Sequence, residues 1–165
     1  MEERTELSMH DHVAVAVDGV TTRGVELVPA KLLSDGNWLL LRSPLYAMQL
    51  AAGDTIRIAN SNVGSFDIVA RGGNVAVQFY LSENESNDPE ATVQVANRVT
   101  PAVLRLGGRL DGQTAGLIVF TIPADAGFSA IEDVFTAAVG ESPGSQWQYA
   151  NVYEATTGEP LLWWK

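Results

Sequence analysis

Two imidazoles flank a carboxylate in the triplet His10-Asp11-His12, a set of side chains that can ligate a metal ion. A structural zinc site needs four ligands, and the chain has no cysteine and no third histidine to help complete one. The triplet also lies at the foot of a polar N-terminal segment, residues 1–11, that we expect to be a flexible tail. We therefore predict a solvated entry to the first strand, with no metal site and no cofactor.

The loop at residues 83–90, with the sequence ENESNDPE, offers alternating oxygen ligands of the kind that bind calcium. It lacks the central glycine and the terminal bidentate glutamate of an EF-hand loop. Asp88 precedes Pro89, and this pair is typical of a helix N-cap followed by the first helical residue. The loop therefore predicts the start of a helix rather than a calcium site.

Nucleophilic catalysis has little support in the residue types present. No serine lies in a Gly-x-Ser-x-Gly turn, no cysteine is present, and both histidines lie near the N-terminus. Catalysis by paired carboxylates stays open, because Glu26, Asp54 and Asp67 could converge in the folded chain. We predict no catalytic site and keep a carboxylate-dependent enzyme as the least favoured alternative.

Aromatic residues are concentrated near the C-terminus. On a terminal strand, residues 147, 149 and 153 share parity, so one face of that strand would be aromatic. Such a cluster either packs into the core or, where exposed, forms a binding patch, and we favour the core. The cluster consists of Trp147, Tyr149, Tyr153, Trp163 and Trp164.

The net charge restricts the partners that the chain can attract. Twenty acidic and ten basic residues give a formal charge of −10, which opposes binding to nucleic acids and anionic membranes and favours a basic partner. Between Arg109 and Lys165 the chain has seven acids and no base. This charge either keeps the protein soluble or steers a basic partner toward the C-terminal third.

Length and composition favour one ordered unit. A chain of 165 residues that is 46% hydrophobic can bury a sizeable core, so we expect a single domain over residues 1–165. The N-terminus has no apolar segment of the signal-peptide type, and no apolar run approaches the ~18 residues of a membrane span. With the absence of cysteine, these features predict a cytoplasmic protein.

The spacing of apolar residues predicts an α+β fold with two parts. Residues 12–73 contain short β-favouring segments separated by turn residues, which predicts an N-terminal bent antiparallel β-sheet or partial barrel. A short helical turn is expected at residues 45–52, between its third and fourth strands. The predicted strands cover 12–17, 25–33, 38–42, 55–59 and 66–70.

Residues 74–165 predict a C-terminal β-α-β-α-β-β layer with the helices on one face of the sheet. The expected strands cover 75–81 and 117–122, and a terminal hairpin joins 147–153 to 161–164.

Two helices are predicted within this layer. The first begins at Pro89 and ends near Gly107, and Pro101 is expected to kink it or split it, with Thr100 capping the second piece. The second has Ser129 and Glu132 at the spacing of a capping box.

Two segments of the chain resemble an uncharacterised family of bacterial domains of unknown function. The first contains ELVP at 26–29, WLLLRSPLYA at 38–47 and LAAGD at 50–54, and the second contains YANVYE at 149–154 and TGEPL at 157–161. The resemblance implies a shared fold and a bacterial origin, and it brings no catalytic residues with it.

These observations favour a protein that works by binding another macromolecule. Our first hypothesis is a non-catalytic bacterial immunity-type protein that binds and inhibits a cognate toxin or secreted effector, because an acidic surface complements a basic toxin cleft. The alternative is a regulatory domain that binds a small ligand where the two parts of the fold meet. The candidate contacts are Glu83, Glu85, Asp88, Glu132, Asp133 and Glu141.

Overall fold

The N-terminal part of the protein is a five-stranded antiparallel sheet. The computed structural model describes residues 11–18 and 23–165, so most of the predicted tail, residues 1–10, lies outside the described residues, whereas Asp11 already belongs to a strand. The strands follow one another across the sheet in chain order. They are β1 Asp11–Asp18, β2 Arg23–Leu32, β3 Trp38–Leu40, β4 Thr55–Asn60 and β5 Ser65–Ala70.

The register of this sheet places one apolar face inward. Val13 lies opposite Val28, and Trp38 lies opposite Ile56, so alternating residues of the strands share a small core. The N–H of Ala16 in the edge strand β1 donates to the carbonyl of Gly64 in the β4–β5 turn at 2.8 Å. This bond connects the two edges of the sheet. The predicted bent antiparallel sheet is confirmed, and it is not closed into a barrel.

The C-terminal part is a four-stranded antiparallel sheet with the order β7-β8-β6-β9 and two helices. The elements are β6 Asn74–Tyr80, α1 Pro89–Arg105, β7 Arg109–Thr114, β8 Leu117–Pro123, a 3-10 turn Ala124–Ala126, α2 Phe128–Glu141 and β9 Gln146–Tyr149. Buried residues of both helices share one core with Val75, Val77 and Phe79 of β6, which confirms the α+β class and the helices on one face. No helix among the described residues is both long and apolar enough to cross a membrane.

The predicted order β-α-β-α-β-β is wrong in the position of the hairpin. The observed order is β-α-β-β-α-β, the ferredoxin-like arrangement. The sequence RLDGQT of β7 is polar and contains glycine and aspartate, so it has none of the apolar pattern that predicts a strand. An edge strand tolerates such residues because only one of its sides is paired.

The predicted terminal hairpin is much shorter than expected. Strand β9 ends at Tyr149, and beyond it Tyr153 and Pro160 form an isolated antiparallel bridge, where the N–H of Leu161 donates to the Val152 carbonyl and the N–H of Glu154 to the Glu159 carbonyl, both at 2.8 Å. The side chain of Asn151 replaces the backbone there: its Oδ1 accepts the N–H of Ala76 and its Nδ2 donates to the carbonyl of Asn74, both at 2.9 Å.

The first helix differs from its prediction in one respect. It begins at Pro89, with the Oδ1 of Asp88 accepting the N–H of Glu90 at 3.0 Å, so the predicted N-cap is confirmed. It then runs unbroken through Pro101, and the predicted split is wrong. The Thr100 hydroxyl donates back to the Ala96 carbonyl at 2.6 Å, which is the bond of a residue inside a helix rather than of a cap.

The predicted capping box of the second helix does not form. Helix α2 begins at Phe128, one residue before Ser129, directly after Gly127 with φ of 92°, and no side chain caps it. Glu132 is instead engaged by the hydroxyl of Tyr149, which donates to Oε2 at 3.1 Å.

The segment 41–54, which we call the covering loop, contains no helical turn at residues 45–52. Gln49 adopts a left-handed φ of 75° and donates its N–H to the Ala150 carbonyl at 2.9 Å, which ends any helical run. The loop packs on the face of the second sheet opposite the helices, where Ala51, Ala76 and Ala150 form a small core. It therefore fills the space between the two sheets.

A buried carboxylate holds the end of the covering loop. Asp54 is fully buried: its Oδ2 accepts the N–H of Ala51 at 3.0 Å and lies 3.3 Å from Nη1 of Arg71, and its Oδ1 accepts the N–H of Gly72 at 2.9 Å. Burial raises the pKa of Asp54, although the two N–H groups and the guanidinium oppose the shift. Beside this cluster, a Cβ added to Gly72 would lie 2.4 Å from the carbonyl carbon and oxygen of Gly53.

Replacing Gly72 with alanine is expected to destabilise the fold, because the new methyl group overlaps the Gly53 backbone. We expect the Gly72→Ala substitution to lower the free energy of unfolding by about 1–3 kcal/mol or more, measured by urea denaturation. The matched control is Gly140→Ala in α2, where a Cβ meets nothing within 4 Å. That change should be neutral or stabilising by up to about 1 kcal/mol. Equal stability of the two variants would contradict the close approach.

Candidate functional site

A cleft of about 600 Å³ opens beside β9. We call it the β9 cleft. Its walls come from α2, the covering loop, β9 itself and the turn that follows, and none of the described residues that line it is basic. The lining residues are Met48, Gln49, Glu132, Trp147, Gln148, Tyr149, Tyr153, Glu154 and Ala155.

Three aromatic rings form the apolar part of the β9 cleft. The ring of Tyr149 stands edge-on to that of Trp147, with centroids 5.0 Å apart, and lies 6.4 Å from that of Tyr153. Tyr149 is buried, Trp147 is half-buried, and Tyr153 is 46% exposed. The buried ring of Tyr149 therefore forms the floor of the cleft, and the exposed ring of Tyr153 forms its rim.

Two carboxylates complete this surface. Glu132 receives the Tyr149 hydroxyl, and burial followed by the nearby Glu132 charge raises the pKa of Tyr149 well above its usual range. At the other end of the cleft, the N–H groups of Thr157 and Thr156 lower the pKa of Glu154. Tyr149 therefore stays a neutral donor above neutral pH, and Glu154 stays ionised into the acidic range.

Aromatic faces together with carboxylates are suited to a cationic group. A ring attracts an ammonium or guanidinium group through its quadrupole, and a carboxylate adds a charge-assisted hydrogen bond. An anionic group would meet two acids and no base in this cleft.

A second cleft, of about 560 Å³, lies where the two sheets join, and we call it the junction cleft. The Arg71 guanidinium lies 5.6 Å from the ring centroid of Trp163, and its Nη1 donates to the Gln49 carbonyl at 2.7 Å. The ring of Phe128 contacts both Trp164 and Tyr149, which connects the aromatic residues of the two clefts. The lining residues are Arg71, Gly72, Gly73, Asn74, Pro123, Ala124, Asp125, Phe128, Trp163 and Trp164.

The structure distributes the six candidate acids over three places. Only Glu132 lines the β9 cleft. Asp133 and Glu141 line a groove between the two helices, where Glu141 pairs with Arg98 at 3.1 Å. Glu83, Glu85 and Asp88 lie in the loop before α1, and there Asp88 caps the helix while Glu85 accepts a hydrogen bond from Ser82.

The five candidate aromatic residues divide between the clefts. Trp147, Tyr149 and Tyr153 line the β9 cleft, and Trp163 and Trp164 line the junction cleft. Trp147 also packs on Phe135 of the core with centroids 5.3 Å apart. The same rings therefore serve the core and the cleft walls, which parity along a strand alone does not reveal.

The three carboxylates that could have formed a catalytic pair lie in different surroundings. Glu26 accepts the N–H groups of residues 45–47 at 2.6 to 2.9 Å, and Asp67 pairs with Arg57 at 2.7 Å on the exposed side of the first sheet. Asp54 is buried and lines neither of the two clefts. The hydrogen bonds of Glu26 and Asp54 connect the covering loop to its neighbours, whereas Asp67 makes an exposed surface ion pair.

Sequence reasoning missed a buried polar chain that joins the covering loop to the second sheet. The Thr121 hydroxyl donates to Oδ2 of Asp111 at 2.5 Å, and the Ser43 hydroxyl lies 2.6 Å from that of Thr121. Ser43 also accepts the N–H of Ala52 at 3.0 Å. Asp111 belongs to the unpredicted strand β7, so no pattern in the sequence linked it to Ser43.

The predicted absence of a metal site at the N-terminus concerns residues that are only partly described. His10 lies outside the described residues, and Asp11 and His12 are exposed at the start of β1. Elsewhere in the described ranges, no three or more His, Cys, Asp or Glu side chains group in a way that could hold a metal ion.

The Tyr149→Phe substitution should change how stability depends on pH. In the unfolded chain Tyr149 ionises near pH 10, whereas its pKa in the folded protein is higher. The folded state therefore retains more protons above about pH 10, and the free energy of unfolding falls as pH rises through this range. The variant should show a shallower fall, and at neutral pH it should lose about 1 kcal/mol with the hydrogen bond to Glu132. Urea denaturation at several pH values measures both effects, and parallel pH profiles would contradict the assignment.

Comparisons with known proteins support the fold and the family. A crystal structure titled a hypothetical protein from Neisseria gonorrhoeae superposes with a TM-score of 0.62 at 16% sequence identity, over 86% of this chain and 94% of that chain. A search of curated proteins gives no match. The family described as a domain of unknown function, DUF4265, matches residues 26–146, which includes α1, α2 and the core strands and ends at the first residue of β9. The resemblance noted in the sequence is confirmed: the chain belongs to the DUF4265 family.

Proposed function

We propose that this protein is a cytoplasmic, non-catalytic immunity-type inhibitor that binds a cognate toxin or secreted effector through basic side chains of that partner. The observation that carries the proposal is the β9 cleft, where Glu132 and Glu154 flank three aromatic rings and no described lining residue is basic. A lysine or arginine side chain entering it gains cation–π contacts and a carboxylate partner together.

The charge of the surrounding chain supports the same kind of partner. The β9 cleft is built mainly from the C-terminal third of the chain. Between Arg109 and Lys165 the sequence has seven acids and no base. Their summed field attracts a basic surface and raises its association rate. The exposed Asp133 follows Glu132 directly on α2 and adds to this field.

Inhibition would follow when the cleft binds a basic side chain that the toxin needs for its activity. Toxins that act on nucleotides or nucleic acids place arginine and lysine in the clefts that bind phosphate. A protein that holds such a side chain in an acidic aromatic cleft removes it from the substrate and covers its surroundings. This mechanism requires no catalytic residue in the inhibitor.

Neutralising Glu132 should weaken the complex. The test partner is the protein encoded by the gene next to the one for this chain, which we expect to be the target. Wild-type protein should bind it, measured by calorimetry, and should restore growth when the two are co-expressed. The Glu132→Gln variant should bind roughly tenfold or more weakly, because a charge-assisted hydrogen bond is lost, and the loss should shrink as salt is added.

Matched variants separate this local effect from net charge. Glu90→Gln makes the same change on the exposed first turn of α1 and should leave binding nearly unchanged. At the rim of the cleft, Tyr153→Phe retains the aromatic face and Tyr153→Leu removes it, so only the leucine variant should bind more weakly, by roughly threefold or more. A neighbouring protein that neither binds nor inhibits growth, or equal losses in the two Gln variants, would contradict the proposal.

A second candidate function is the binding of a small ligand in the junction cleft. The supporting observation is its position between the two sheets, with a guanidinium and the rings of Phe128 and Trp164 on its walls. Sites of this kind favour planar ligands that bear a polar group.

A thermal-shift screen with small aromatic carboxylates tests this second function. A compound that binds the folded protein raises its melting temperature, and the rise grows with the logarithm of the compound's concentration above its Kd. The rise should be present in the wild type and in Glu132→Gln, and it should be lost in Trp164→Leu. The second function is contradicted when no compound raises the melting temperature of the wild type.

A further inference from the structure

Strand β9 lies at an edge of the second sheet, with β6 as its only strand neighbour among the described residues. An edge strand directs half of its backbone N–H and C=O groups away from the sheet. Such groups can pair with a strand from another protein.

The register shows which groups of β9 face outward. The N–H of Ala150 donates to the carbonyl of Ala76 and the N–H of Ala76 donates to Oδ1 of Asn151, both at 2.9 Å, so both backbone groups of residue 76 face β9, as in the hydrogen-bonded pairs of this ladder. Because such pairs alternate along an antiparallel ladder, Gln146 and Gln148 also bond to β6, whereas Trp147 and Tyr149 turn their N–H and C=O groups outward. Outside the strand ladders, no backbone–backbone hydrogen bond of the described residues uses Trp147 or Tyr149.

The β9 cleft lies along this same edge. Successive side chains of a strand point to opposite faces, yet Trp147, Gln148 and Tyr149 all line the cleft. Its other walls also come from both faces, with Glu132 on the helix side and Met48 on the covering-loop side. A space that touches both faces and three consecutive residues runs beside the edge of the strand.

We infer that the partner binds by adding an extended basic segment antiparallel to β9, with a lysine or arginine directly opposite Tyr149. This inference rests on the proposed function and specifies its binding mode. Residues directly opposite one another in an antiparallel pair point to the same face, so this basic side chain lies on the helix side, next to Glu132. The N–H and C=O groups of Trp147 and Tyr149 pair with the added backbone.

Charge complementarity selects this occupant over a second copy of the chain. Pairing of two β9 edges would bring together two acidic clefts, each with Glu132 and Glu154. Like charges that face one another across paired strands repel. A basic segment has the opposite effect.

The test uses a capped nine-residue peptide of alternating serine and threonine with one central lysine. One analogue carries N-methyl groups on the lysine and on the residue two positions after it, whose N–H groups face β9 in the inferred register. The matched analogue carries N-methyl groups on the two residues adjacent to the lysine, whose N–H groups face away. A third analogue replaces lysine with norleucine.

The first N-methyl analogue should bind roughly tenfold or more weakly than the parent peptide, because it loses two backbone hydrogen bonds, and the second should bind within about twofold of it. Amide hydrogen exchange at Trp147 and Tyr149, measured by NMR, should slow when the parent peptide binds. Norleucine should weaken binding in the wild type and have little further effect in Glu132→Gln.

Each contrary result has a definite meaning. Equal affinities of the two N-methyl analogues, or no saturable binding at millimolar peptide, overturn the edge pairing. Loss with norleucine but not with N-methylation retains the cation site of the proposed function and rejects strand addition. Loss with N-methylation but not with norleucine retains strand addition and rejects the cation site of the proposed function. Amides of Trp147 and Tyr149 that are already protected in the free protein indicate an edge occupied by a second copy or by this chain, which also overturns the inference.

Discussion

The arrangement of the two sheets depends on the buried carboxylate of Asp54. It accepts the N–H groups of Ala51 and Gly72 and lies beside the Arg71 guanidinium, so one side chain connects the covering loop to the start of the second sheet. A buried carboxylate is costly unless it is fully hydrogen-bonded, and here the backbone and the guanidinium supply those bonds. Arg71 in turn donates to Gln49, which lines the β9 cleft, and contacts Trp163 in the junction cleft. Both clefts therefore depend on the same buried ion pair.

Local patterns in the sequence predicted those parts of the fold that local interactions determine. The five strands of the first sheet and the Asp88 cap follow from alternation and from hydrogen bonds between near neighbours. Strand β7 and the end of the chain did not follow, because their conformation is set by partners far away in sequence. Asn151, for example, takes the place of a strand residue only because Asn74 and Ala76 are adjacent to it in space.

The candidate site was predictable in composition but not in geometry. The sequence indicated an acidic C-terminal third and an aromatic cluster, and these supply Glu132, Trp147 and Tyr149. It could not show that Glu132 leaves its expected capping position to accept the Tyr149 hydroxyl, or that Met48 and Gln49 close the opposite wall. Those contacts depend on how α2 and the covering loop pack on the two faces of one strand. The acids of the loop before α1 have the same chemistry but serve a helix end.

The central position of β6 has a consequence for synthesis of the chain. Its two neighbours, β8 and β9, both follow it in sequence, and Asn151 completes its hydrogen bonding from still farther along. A nascent chain therefore carries an apolar strand with Val75, Val77 and Phe79 unpaired until β8 has left the ribosome, and one edge of β6 stays open until β9 follows. Long-range pairing of this kind slows folding and prolongs exposure of an aggregation-prone segment. The strand order of the second sheet thus delays the complete pairing of its central strand until β9 has been made.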